Sequence, residues 1–249
     1  MRRLPEPGQP AESAERPGPG RPRPDWPEIA AALDQRGYAV VPDLLDPATC
    51  RELSALYDEP AAFRSRVVMQ RHGFGSGEYK YLRYPLPPVV AGLRQELYPH
   101  LAQIANRWHA RLRAERRFPP SLDAYLAECH GAGQSRPTPL ILKYEAGDYN
   151  CLHQDLYGAL VFPLQATVLL SDPVADFSGG EFLLVEQRPR AQSRGEVVPL
   201  RQGDAVIFPV HHRPVEGKRG PYRVTMRHGV SRLRSGRRFT LGIIFHDAA

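Results

Sequence analysis

His153 and Asp155 stand two residues apart in the run Tyr144-Glu-Ala-Gly-Asp-Tyr-Asn-Cys-Leu-His-Gln-Asp155. In an extended chain, residues at that spacing project to the same face. An imidazole nitrogen and a carboxylate oxygen can then meet at one point. A histidine from a distant strand would complete a two-histidine, one-carboxylate set on one side of a metal ion, leaving adjacent coordination positions open, as non-haem ferrous oxygenases require. Candidates for that third position are His228, the neighbours His211 and His212, and His246. Ten residues after His228 comes Arg238, and Thr240 follows on the same face of the same extended run. A guanidinium grips a carboxylate through two parallel hydrogen bonds, and a hydroxyl beside it adds a third. Spacing alone leaves the third ligand open among these histidines, with His228 the one that has a carboxylate-gripping arginine on a following strand and His212 the alternative.

These side chains need elements to hold them. Past Pro137 the sequence becomes a series of short apolar runs with turn signals between them: Leu140–Tyr144, Leu160–Leu170, Glu181–Glu186, Glu196–Leu200, Ala205–Phe208, Tyr222–Arg227 and Phe239–Phe245. Strands in that density, with no helices between, predict a barrel or two-sheet roll. Helical patterns precede them. Pro27 opens one running through Leu33, and Asp46-Pro47 caps another reaching toward Tyr57. A third, from Pro88 to about Arg116, buries Val90, Leu93, Leu97, Leu101, Ile104 and Trp108, and a fourth covers Ser121 to Cys129. Tyr38–Val41 reads as a short strand, and residues 65–85 as a loop or irregular hairpin. The fold class expected is α+β, a double-stranded β-helix (jelly-roll) core over residues 137–249. A helical or mixed region over 26–136 packs on it, and residues 1–25 form a tail.

The tail holds seven prolines and almost nothing apolar, a composition that cannot offset its own ordering entropy and so predicts disorder. Over the whole chain, 42% hydrophobic residues suffice for a core. No run approaches the roughly 18 apolar residues of a membrane helix, and the N-terminus shows no apolar signal region, so a cytoplasmic protein without membrane contact is expected. Cys50, Cys129 and Cys151 have neither disulfide nor zinc-knuckle spacing. The net charge of +6 permits a nucleic-acid partner without demanding one.

From Tyr144 to His246 the chain resembles the 2-oxoglutarate/Fe(II) dioxygenase superfamily, in its prolyl-hydroxylase-like branch. Five landmarks carry the resemblance in order. Tyr144, Gly147 and His153 keep that branch's offsets. Gly179-Gly180-Glu181 and Gly203-Asp204-Ala205-Val206-Ile207-Phe208 match two of its strands, and His228 with Arg238 matches its last ligand and basic residue. The blocks at 151–158 and 242–247 also resemble a bacterial group loosely labelled as acting on alkylation-damaged DNA. The resemblance implies ferrous iron on His153, Asp155 and His228, with 2-oxoglutarate contacted by Arg238, Thr240 and Tyr144. It further implies dioxygen as oxidant, ascorbate as an optional reductant, and hydroxylation of a C–H bond with release of succinate and carbon dioxide. A peptide side chain or small molecule is the substrate expected from the branch, and oxidative demethylation of alkylated nucleic acid is the alternative. Against the alternative, the repair enzymes carry a second arginine in an Asn-x-Thr-x-Arg type run, and Phe245 stands at that distance here. A non-catalytic, cupin-like binding protein is the reading outside enzymes. Substrate contacts are expected from Arg71, His72, Tyr79, Tyr81, Asn150 and Tyr157.

Overall fold

Proline and aspartate begin the helices where the sequence places them. In the computed structural model, which describes residues 24–249, Asp25 caps α1 (Trp26–Arg36) by accepting from the Glu28 N–H. Asp46 caps α2 (Pro47–Ala55) by accepting from Thr49. Both satisfy amide donors that a helix start leaves unpaired. α3 (Pro88–Arg111) buries the six apolar residues of its expected stripe. It ends five residues short of the expected Arg116, where Arg113 takes a left-handed backbone at φ 56. α4 is Leu122–Gly131. The disordered-tail expectation falls on residues outside those described, apart from Pro24 and Asp25.

Among the described residues, fourteen strands follow the chain as β1 (Ala39–Val41), β2 (Phe63–Val68), β3 (Gly75–Ser76), β4 (Glu78–Leu82), β5 (Leu140–Glu145), β6 (Tyr149–His153), β7 (Leu164–Leu169), β8 (Phe177–Gly179), β9 (Phe182–Gln187), β10 (Arg194–Val198), β11 (Ala205–Pro209), β12 (His212–Gly217), β13 (Gly220–Val230) and β14 (Leu233–Ile243). The larger sheet runs β1-β11-β7-β14-β5-β4-β2, with β8 beside β14. The smaller runs β10-β9-β13-β6-β3, with β12 beside β13. The double-stranded β-helix expected from the sequence is present.

Alternation along the strands separates the layers. Leu164, Ala166 and Val168 of β7, Leu241 and Ile243 of β14, Ala205 and Ile207 of β11, and Ile141 of β5 pack against the helices. Their neighbours face inward: Val206 and Phe208 of β11 meet Phe182 and Leu184 of β9 across the roll. A sheet covered on both faces needs apolar residues at nearly every position, which explains the unbroken run Ala205-Val206-Ile207-Phe208. Polar residues inside such strands therefore stand out, and the candidate site is built from them.

Residues 65–85 hold the irregular hairpin expected there: β2 and β4 pair antiparallel with a register shift, and β4 joins the larger sheet along β5. The expected strand Tyr222–Arg227 lies within β13, which pairs with β12 in a hairpin. One expectation about a strand changes. β14 begins at Leu233, six residues before the expected Phe239, because its first residues pair with the short strand β8. Polar residues paired by backbone hydrogen bonds leave no hydrophobic alternation to read.

Candidate metal centre and carboxylate receptor

Pairing of β6 with β13 brings the two histidines together. His153, the last residue of β6, and His228 are direct Cα partners in that ladder, and their ring centroids lie 4.1 Å apart. Just past them the register slips, with Val230 opposite Asn150. Gly229 sits at the slip against the Asn150 carbonyl, where a Cβ would fall 2.7 Å from the oxygen. Asp155 lies beyond the strand end and turns its carboxylate back. His153 Nε2 is 3.5 Å from Oδ1, and His228 Nε2 is 3.3 Å from Oδ2. One ligand atom from each residue lies within 4.8 Å of the others.

The pKa directions for Asp155 and His228 suit a cation, and the free Nε2 side of His153 faces them. His153 Nδ1 lies 2.8 Å from the Cys151 carbonyl, so that nitrogen carries the proton and Nε2 keeps its lone pair toward Asp155. Burial holds His228 below its ordinary pKa, and the nearby His153 adds to that. Burial pulls His153 the same way, but its hydrogen bond and charge interaction with Asp155 outweigh it and raise the pKa. For Asp155, burial alone would raise the pKa; the two imidazoles overcome it and hold the carboxyl well below its usual range. An ionised carboxylate between imidazole nitrogens is the donor set that binds a divalent metal.

Arg238 supplies a separate test of fit. It is the direct Cα partner of Tyr144 across β14 and β5, and only 1% exposed. Its guanidinium carbon lies 5.6 Å from the Tyr144 ring centre and 5.9 Å from that of Phe177. Yet Nε and Nη1 are buried and find no partner among the described residues. A buried guanidinium with idle donors is costly unless an anion meets it. Burial has already lowered its pKa to about 10. Thr240 stands two residues along on the same inward face, and the cavity that holds Arg238 is also lined by Tyr144, His153, Asp155 and His228. The donor set and the unpartnered guanidinium together fit a ferrous ion and a dicarboxylate such as 2-oxoglutarate.

Other expected residues separate into groups. Tyr79, Asn150 and Tyr157 line the same cavity. Asn150 donates toward the Tyr144 hydroxyl at 3.3 Å. Tyr157 donates to Asp155 Oδ1 at 2.8 Å, so its hydroxyl serves the carboxylate rather than facing solvent. Tyr81 is buried behind them, edge-on to both tyrosines. Arg71 and His72 are exposed; His72 stacks on Phe74, which sits at the cavity mouth. His212 pairs with Thr225 in the β12–β13 hairpin and stands outside the cluster. His246 is fully buried, with Nδ1 accepting from the Phe162 amide. Sequence reasoning missed Gln165, which is 3% exposed and donates to Asp155 Oδ2 at 2.8 Å. Its signal was legible: Gln165 and Thr167 are polar residues alternating with Leu164, Ala166 and Val168.

Solved structures share this architecture. A prolyl-4-hydroxylase of Pseudomonas putida superposes with a TM-score of 0.51 at 13% identity, over 90% of this chain and 100% of that one. An oxidoreductase of the 2OG-Fe(II) oxygenase family from Burkholderia pseudomallei gives 0.52 at 14% identity, over 92% and 94%. At such identities the likeness establishes the fold, which is that of the 2-oxoglutarate/Fe(II) oxygenases. Residues 77–248 match a family described as an oxygenase catalysing oxidative methylation of damaged DNA, and the chain belongs to that oxygenase family. An uncharacterised protein of Mycobacterium tuberculosis is 56% identical over 165 residues, spanning 66% of this chain and 71% of the relative. Among the described residues, no helix is long and apolar enough to cross a membrane.

Proposed function

We propose that His153, Asp155 and His228 hold ferrous iron and that Arg238, with Thr240 and Tyr144, receives the far carboxylate of 2-oxoglutarate. The observation that carries this reading is the buried Arg238 guanidinium, with two donors unpartnered, in the same cavity as the three-residue cluster. When bound, the iron and cosubstrate supply oxidation of a C–H bond by dioxygen, with succinate and carbon dioxide released. The chain's own part is positional. The Cys151 carbonyl fixes the tautomer of His153, burial keeps His228 neutral, and Arg238 sets how deep the cosubstrate sits. Apolar walls from Leu140, Leu142, Phe182 and Ile244 exclude water.

For the substrate, the family's description names damaged DNA, which supports the alkylated-nucleic-acid alternative, and the net charge of +6 agrees with a phosphate-bearing partner. Oxidative demethylation is therefore the reading tested first. Hydroxylation of a peptide side chain or small molecule is the second, favoured by the ten-residue spacing of His228 and Arg238 without a second arginine beyond. Anaerobic addition of ferrous iron and 2-oxoglutarate should give a weak visible charge-transfer band; its absence removes the oxygenase chemistry. Succinate release measured with methylated oligonucleotides, proline-containing peptides and small metabolites then separates the substrates. Release above background with peptides or metabolites and none with oligonucleotides overturns the first reading.

A further inference from the structure

The Asp155 carboxylate is held from two sides by groups that are neither of the histidines. Tyr157 donates its hydroxyl to Oδ1 at 2.8 Å, and Gln165 donates Nε2 to Oδ2 at 2.8 Å. An ionised carboxylate only accepts hydrogen bonds, so the amide end facing it must be the NH2 group. That same nitrogen lies 3.4 Å from His228 Nε2, which places the amide between the carboxylate and one imidazole. The far end, Oε1, is buried without a partner among the described residues. A side chain serving stability alone gains little from such a position, since an orphaned buried carbonyl is costly and an apolar residue of similar shape would avoid that cost. Leu164, Ala166 and Val168 of the same strand bury apolar side chains.

We infer that Gln165 is a positioning residue for the metal centre, orienting the Asp155 carboxylate against His228, with Tyr157 as the opposing clamp. This rests on the reading of Asp155 as a metal ligand. Rotation about the Cβ–Cγ bond of an aspartate swings its oxygens away from a common point with two imidazoles. Donors fixed on both oxygens remove that rotation before a metal arrives. Outer partners of this kind typically change metal affinity by about 10- to 100-fold.

The test uses the full chain and cobalt(II), an oxygen-stable probe whose visible ligand-field bands report coordination. Gln165→Met keeps length and removes the donor. Gln165→Asn keeps the amide but shortens its reach, and it carries the test if the methionine variant fails to fold. Both should bind cobalt about 10- to 100-fold more weakly than the natural chain, with shifted bands, while the melting temperature of metal-free Gln165→Met stays level or rises. Unchanged cobalt affinity and bands in the Gln165 variants, with a lower metal-free melting temperature, would mean a packing role and overturn the inference. Failure of the natural chain to bind cobalt at all would instead overturn the metal-site reading beneath it.

Discussion

Replacing Arg238 with methionine should weaken 2-oxoglutarate binding and strengthen the ligand-free fold at the same time. The two effects have one cause. The guanidinium is 1% exposed, and burial lowers its pKa from an ordinary 12.5 to about 10. Keeping it charged at neutral pH therefore costs the empty chain about 3 kcal/mol. Methionine, similar in length and uncharged, removes that cost, although it also gives up the contacts with the rings of Tyr144 and Phe177. Two idle donors, Nε and Nη1, await a carboxylate. Charged hydrogen bonds contribute about 1.5–3 kcal/mol each, so losing both should raise the 2-oxoglutarate dissociation constant by roughly 10²- to 10⁴-fold. Urea unfolding of the ligand-free chain measures the first effect, and saturation of the charge-transfer band measures the second. Lower ligand-free stability with unaltered cosubstrate affinity would refute the reasoning, because Arg238 would then be a packing residue whose charge is satisfied in some other way.

The choice between distal histidines is tested by alanine: His228→Ala should abolish cobalt binding, while His212→Ala, in the neighbouring hairpin, should leave it intact by titration. Acid sensitivity should come in part from His246, whose pKa burial lowers to about 4. The unfolded chain gains a proton there as pH falls below about 6.5 and the folded chain does not, so this contribution is complete above that pH and lost on descending to 4. At pH 5 the loss is about 2 kcal/mol, and His246→Asn should flatten the pH dependence of urea unfolding by that amount. Asp247 and Arg94 form an ion pair at 2.9 Å with side chains 0% and 1% exposed. Asp247→Ala leaves the guanidinium buried without its counter-charge and should cost about 3–5 kcal/mol, read as a lower urea midpoint.

What the sequence by itself determined was local. The spacing of Arg238 and Thr240 sets the face their side chains share, because the period of a strand is two; the spacing of His153 and Asp155 named the two ligand types, although Asp155 lies past the end of β6. Proline and aspartate likewise marked the starts of α1 and α2, where the first amides of a helix need outside partners. The sequence favoured His228 over His212 through the arginine that follows it, but only the tertiary structure brings one distant histidine to the cluster. His212 and His228 both lie in strands, but only His228 is paired with His153 across β6 and β13, and pairing between segments so far apart in the chain is set by sheet register. The same holds for Gln165 and Tyr157. Nothing in β7 names Asp155 as the partner of Gln165, which the roll brings to one carboxylate oxygen, and nothing in the turn after His153 shows that Tyr157, only two residues past Asp155, folds back onto the other.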